Sequence, residues 1–182
     1  MADELIDIYD ENNRFLNVRK MKSEAHRDGL WHRASHVWLF NDKGEVLLQL
    51  RAKEKEQYPG MWDVSVAGHI SAGEEPITAA IRETAEEVGL SLNPRDLDFF
   101  KIEQIREIYK SIKNNGFEYV YFFRFNGDKN DLVLQKEEVE EICFVHIDEL
   151  ERNLVSNPEK YVPHGKYWLE ITEEVRRRLS FN

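Results

Sequence analysis

Residues 76 to 90 of this 182-residue chain read PITAAIRETAEEVGL, and this stretch constrains the fold more than any other. Pro76 suits the first turn of a helix, where its missing N–H would have no partner anyway. Ile77, Ala80, Ile81, Thr84 and Val88 then recur at helical spacing as one packing face until Gly89 ends the run. A helix with one apolar stripe needs a surface to lie on, and the rest of the chain reads mainly as strands. HVWLFNDKGEVLLQLR sets two apolar runs, Val37 to Phe40 and Val46 to Leu50, around the turn formers Asn41-Asp42-Lys43-Gly44, which predicts a central hairpin. A second hairpin is predicted over about residues 4–20, around Asn12-Asn13. Further strands are expected near Val64 to Ala67, Asp98 to Ile105, Glu118 to Phe125 and Glu141 to His146. A closing helix is expected over about 167–179, on the stripe Trp168, Ile171, Val175 and Leu179. No repeat or low-complexity linker interrupts this order, so one α+β domain over residues 1–182 is expected, a mixed β-sheet covered by helices.

Hydrophobic residues make up 41% of the chain, with 10 Phe, 7 Tyr and 4 Trp, which excludes the aromatic-poor composition of disorder. The net charge of -10 argues against nucleic acid as a partner, because wrapping a polyanion requires a basic face. Small phosphate compounds stay open, since bound divalent cations reverse the sign of a local site. The acidic N-terminus carries no basic-then-apolar leader and no run of apolar residues is long enough to span a bilayer, so a cytoplasmic protein without membrane contact is expected. Cys143, the one cysteine, lies in the apolar run ICFV and reads as a small buried hydrophobe. Oligomeric state is not legible, and a homodimer is left open.

The helix has a second side. Residues three and four apart are neighbours, so Glu83, Glu86 and Glu87 bring three carboxylates together, at a cost of about a few tenths of a kcal/mol per like-charged pair. A hard cation such as Mg2+ wants an oxygen shell with a few carboxylates, which would give that repulsion a purpose. Arg82 can reach Glu86 or orient a neighbouring carboxylate. Gly68 and Gly73, on the approach to the helix, let backbone come close to a ligand. A solvated acidic helix is the bland alternative. Gly68, Glu74, Arg82, Glu83, Glu86, Glu87 and Gly89 would match such a fixed spacing by chance on the order of once in 100,000 chains of this kind.

The segment GHISAGEEPITAAIRETAEEVGL, residues 68–90, resembles the Nudix box, G-x5-E-x7-R-E-U-x-E-E-x-G-U with U aliphatic, at every charged and glycine position. Thr84 stands where Ile, Leu or Val is usual. The resemblance implies the Nudix fold, an α/β/α sandwich, and hydrolysis of a diphosphate joined to another moiety, with Mg2+ or Mn2+ as cofactor. It implies Glu83, Glu86 and Glu87 as metal ligands, one of them also as base, Gly68 as a backbone-carbonyl ligand, and Glu74 and Arg82 as supporting residues. A further acidic residue often comes from outside the box in this family, and Glu118, Glu137, Glu138 and Glu141 are candidates, with Glu118 the candidate metal ligand.

The stretch HRASHVWLFNDKGEVLLQLRAKEKEQYPGMWDVSVAGH is also similar to isopentenyl diphosphate isomerases, which share the Nudix fold. Those enzymes move a double bond with a Cys and a Glu flanking the substrate and a metal held by His and Glu. His26, His32 and His69 resemble the metal histidines, although the first interval is one residue shorter than in a bacterial form, and Glu118 resembles the acidic partner. Ala67 stands where the cysteine should be, and alanine neither donates nor accepts a proton. A hydrolase of the isomerase-like subgroup is therefore expected, acting on a nucleoside diphosphate or related small diphosphate. Arg51 and Lys55 match positions that bind the diphosphate, Arg51 being suited to bidentate contact. The isomerase and a non-catalytic nucleotide-binding module are the alternatives. Trp62 and Tyr58 stack on a base or, more in keeping with their type, pack in the core.

Overall fold

The computed structural model describes residues 3–180; residues 1–2 and 181–182, the ends of the expected domain, lie outside the described residues. In chain order the elements are β1 (Leu5–Tyr9), β2 (Phe15–Met21), α1 (Lys22–Asp28), β3 (Trp31–Phe40), β4 (Glu45–Arg51), β5 (Trp62–Asp63), β6 (Val66–His69), α2 (Pro76–Val88), β7 (Asp98–Tyr109), β8 (Ile112–Arg124), β9 (Val139–His146), α3 (Ile147–Ser156) and α4 (Tyr167–Ser180). This is the α+β class expected. The chain clusters into two units that it crosses between several times: one takes the chain up to Val37 with residues 66–85 and 91–122, the other residues 38–65, 86–90 and the chain from Phe123 on.

In the first unit β1 and β2 form the predicted N-terminal hairpin, from Leu5 opposite Met21 to Tyr9 opposite Phe15. Ile6, Ile8 and Ala25 are buried together against Leu30, which fixes α1 to that hairpin. β7 and β8 make a long antiparallel hairpin from Asp98 opposite Phe122 to Tyr109 opposite Ile112. The pairing that matters most is β3 with β6, where Ala34 faces His69, Ser35 faces Gly68 and His36 faces Ala67. Side chains alternate between faces along a strand, and directly opposed residues share a face. His32, Ala34, His36, Ala67 and His69 therefore line one face of this pair, while Ser35 and Gly68 belong to the other.

In the second unit β4 lies between β5, with Gln49 opposite Asp63 and Leu50 opposite Trp62, and β9, with Glu45 opposite His146 through Leu50 opposite Glu141. Its successive residues Val46, Leu47 and Leu48 are all fully buried, so the strand is covered on both faces. Leu150 of α3 and Ile171 and Val175 of α4 are buried as well. Trp38 is wholly buried, its indole N–H donating to the Tyr167 hydroxyl at 2.9 Å and its ring lying 5.5 Å from that of Trp168. Each such side chain contributes about 1.5–3 kcal/mol relative to leaving it exposed.

Several expectations need correction. The strand placed at Val64 to Ala67 is two short strands, Trp62–Asp63 and Val66–His69, because Val64 and Ser65 turn aside; the Ser65 hydroxyl donates to the Leu47 carbonyl and accepts from the Leu39 N–H. The buried side of α2 is rotated from the predicted stripe. Ala79, Ala80, Thr84, Glu87 and Val88 are buried, whereas Ile77 and Ile81 are half-buried. Thr84 fits because its hydroxyl donates to the Ala80 carbonyl at 2.6 Å, leaving no buried group unmet. Cys143 is half-buried rather than buried. Helices α1 and α3 were not anticipated. Among the described residues no helix is long and apolar enough to cross a membrane.

Candidate functional site

Box residues from both ends of the segment meet in the first unit. Gly68, next to last in β6, lies so near to α2 that a Cβ there would overlap the Glu83 carboxyl group. The guanidinium of Arg82 fixes that carboxyl, donating from Nη1 to Glu83 Oε1 at 2.6 Å. Its other nitrogens donate to Glu74, Nε to Oε1 at 3.0 Å and Nη2 to Oε2 at 2.8 Å, and Nη2 also reaches the His69 carbonyl at 3.1 Å. Arg82 thus joins the loop, the end of β6 and the helix. Burial pushes the Glu74 pKa up, but hydrogen bonds from Arg82 and the Ser71 N–H outweigh it and hold the carboxyl below its usual range. The same bond to Glu74 raises the Arg82 pKa, so the pair stays charged.

On the last turn of α2, Glu86 is exposed and Glu87 is only 2% exposed. Gln49 of β4, itself buried, donates from Nε2 to Glu87 Oε2 at 3.3 Å. The backbone there is closed off by the segment after β8, Gln135 N–H donating to the Glu87 carbonyl and Val133 N–H to that of Val88. Gly89 follows with φ 71°, and a Cβ on it would press on Val133, so the helix stop is glycine for two reasons. A buried carboxylate beside two more on one helix side costs free energy that a divalent cation would recover. Carboxylates are the donor type that a hard cation takes.

The three histidines that resemble an isomerase's metal ligands come together. His26, His32 and His69 present ring nitrogens within 4.8 Å of one another, with ring centroids 5.0 to 5.3 Å apart. His32 is 1% exposed, its Nδ1 3.1 Å from the Leu30 carbonyl. His26 Nε2 is buried without a hydrogen-bond partner. Burial, and then the neighbouring His32, pushes the His26 pKa down to about 4 from 6.5, and burial lowers that of His32. Both favour the neutral ring, which is the form that ligates metals. A lowered folded-state value means folding favours neutral His26; that contribution is present above pH 6.5 and is lost as pH falls towards 4. Urea midpoints of the metal-free protein should decline across this window, and His26→Gln should flatten the decline; an equal slope in both proteins would refute the assignment.

Glu118, the candidate outside ligand, is 7% exposed and pairs with His36 Nε2 at 2.9 Å, directly across from Ala67. Glu138 is also buried and is held by the Lys55 ammonium, while Glu137 and Glu141 are exposed. Lys55 therefore enters its loop already paired. Arg51 donates from Nη1 to Asp63 Oδ2 at 2.9 Å and from Nε to the Gln57 carbonyl at 3.0 Å. Trp62 and Tyr58 are both half-buried. Cys143 keeps its proton at neutral pH, because burial and then Glu141 push its pKa up to about 11. Gln49, Asp63 and His36 had no signal in the sequence beyond residue type, since each owes its place to strand pairing, and His164 meets Asp63 only because a segment far along the chain is tied to β5.

The chain matches the NUDIX domain family model over residues 30–165. It is 37% identical over 192 residues to Nudix hydrolase 3 of Arabidopsis thaliana, covering 100% of this chain but 24% of that protein. It is 31% identical to an isopentenyl-diphosphate Delta-isomerase of Pectobacterium atrosepticum, with 91% of this chain and 87% of the isomerase covered. Among solved structures it is similar to DR0079 from Deinococcus radiodurans, with a TM-score of 0.69 at 19% identity over 96% of this chain and 98% of that one, which is a likeness of fold.

Proposed function

The chain belongs to the Nudix family, and from that premise we propose that it hydrolyses the diphosphate linkage of a nucleoside diphosphate or related small compound, with Mg2+ or Mn2+ held by Glu83, Glu86, Glu87 and the Gly68 carbonyl. The observation that carries this reading is the seating of the Glu83 carboxyl against Gly68, fixed by Arg82. Such a cation neutralises phosphoryl oxygens and lowers the pKa of water, which is the chemistry an anionic electrophile requires. The chain's own residues do the remaining work. Arg82 and Glu74 keep Glu83 oriented, Gln49 holds Glu87 in place, and Glu86, on the exposed side of the helix, takes a proton from attacking water. Arg51 offers its guanidinium to phosphate oxygens.

Two observations favour hydrolysis over isomerisation. Ala67 supplies no proton, and Glu118, the remaining partner of an isomerase pair, is engaged by His36. The histidine trio supports a second cation site, softer than the carboxylate one, because neutral imidazoles suit Zn2+-like ions and His26 Nε2 is otherwise unmet.

Incubation of the purified protein with Mg2+ or Mn2+ and a panel of nucleoside diphosphates, nucleotide sugars, dinucleotides and isopentenyl diphosphate tests the reading. Release of phosphate or nucleotide that chelation abolishes is expected. Double-bond migration in the isoprenoid would instead establish the isomerase, and saturable binding without turnover the module.

A further inference from the structure

Arg51 is held by residues outside the box, and the way it is held has consequences for binding. We propose that Asp63 and His164 form a positioning relay for Arg51, which presents the outer edge of the guanidinium to substrate phosphate and makes anion affinity rise when His164 is protonated. This rests on the reading of Arg51 as a phosphate ligand.

The backbone of Arg51 anchors the β4–β5 loop, its N–H donating to the Met61 carbonyl and its carbonyl accepting from the Gly60 N–H, each at 3.0 Å. The side chain turns into the same loop. Nε goes to the Gln57 carbonyl and Nη1 to Asp63, whereas Nη2 makes no hydrogen bond among the described residues. An unspent guanidinium edge on a side chain fixed at two other points suits an oxyanion with several acceptor atoms.

Asp63 is 4% exposed and divides its two oxygens. Oδ2 accepts from Arg51; Oδ1 accepts from the Val64 N–H at 2.8 Å and faces His164 Nε2 at 2.7 Å. His164 belongs to the segment between α3 and α4, which is tied to β5 where Val162 N–H donates to the Trp62 carbonyl. Its ring lies 5.5 Å from those of Tyr167 and Trp168. The titratable and charged groups turned towards it are Asp63 from β5, through it Arg51 from β4, and Tyr167 from α4, while Lys166 on its own segment is paired with Glu170. With neutral His164 the Asp63–Arg51 pair carries no net charge. With His164 protonated, two cations share one carboxylate and the set carries one positive charge, which attracts an incoming anion while Asp63 still holds Arg51 in place. Linkage then requires that bound anion favour the protonated ring by the same factor that the proton favours the anion.

The test is calorimetric binding of a non-hydrolysable methylene analogue of a nucleoside diphosphate, with Mg2+ at saturation, between about pH 5.5 and 8.5, the range over which histidine titrates. Wild type is expected to bind about 3- to 10-fold more tightly at the acid end, and His164→Gln to show a flat profile. Asp63→Asn should weaken binding about tenfold at every pH, since it leaves Arg51 without its anchor. If Asp63→Asn does not fold, His164→Gln carries the comparison alone. Arg51→Ala with unchanged affinity would overturn the reading of Arg51 as a phosphate ligand. Weakened binding in Arg51→Ala, alongside a His164→Gln profile that follows wild type, would overturn the relay and leave that reading standing. Because binding is measured rather than turnover, neither outcome depends on the hydrolase reading.

Discussion

Glu86→Gln should lower kcat about a thousandfold while leaving the melting temperature of the metal-free protein nearly unchanged, because the side chain is exposed and its loss removes charge chemistry without removing packing. Glu87→Gln should lose activity to a similar degree for a different reason, and the two separate in a thermal melt. Glu87 is buried, so in the absence of metal its charge costs stability, and the neutral amide should be as stable as wild type or more so. Wild type should gain about 2.7 kcal/mol when Mg2+ stands at a hundred times its dissociation constant. For a chain of this size that is about 5–10 °C in melting temperature. Glu87→Gln should lose most of that rise. If Glu87→Gln keeps the full Mg2+-dependent shift, the carboxylate face of α2 is not where the cation binds, and the acidic cluster reverts to a solvated helix surface.

The parts of this site that the sequence revealed are those held by local geometry. Glu83, Glu86 and Glu87 owe their common side to helical spacing, Gly89 marks its own helix end, and the central hairpin is written in Asn41 to Gly44 between two apolar runs. What stayed hidden depends on pairing between distant strands. Nothing about Gln49 or Asp63 as residue types says that β4 and β5 place them opposite each other, nor that one then serves Glu87 and the other Arg51. The same holds for His36, which meets Ala67 only through the β3–β6 register. The missed helices were faint for a local reason. In α3 just Ile147 and Leu150 are buried, too few to write a stripe, and the N-terminus is capped by His146 Nδ1 accepting from the Asp148 N–H rather than by a Ser, Thr, Asp or Asn. The rotation of α2 was hidden by Glu87 itself, because a carboxylate on the packed side is the opposite of what an apolar stripe leads one to expect.

Gly68→Ala should fold and yet lose about a hundredfold in kcat, the scale that a displacement of about 1 Å commands in a catalytic site. The added methyl group would overlap the Glu83 carboxyl, which is the far end of a flexible side chain and can move. It cannot move without consequence. Its present position is set by Arg82, which is held in turn by both oxygens of Glu74 and by the His69 carbonyl, so displacing the carboxylate breaks a charge-assisted bond of 2.6 Å while the rest of the brace stays put. The stability cost should be about 1–3 kcal/mol, a hydrogen bond to a charged group being worth that much. The effect on catalysis should run entirely through Glu83, and a double-mutant cycle reads this directly. If Gly68→Ala acts by moving that carboxylate, adding it to Glu83→Gln should cost little more than Glu83→Gln alone. Additive losses in kcat would mean that the added methyl group harms the reaction by some route other than displacing Glu83, such as a shift of the Gly68 carbonyl itself.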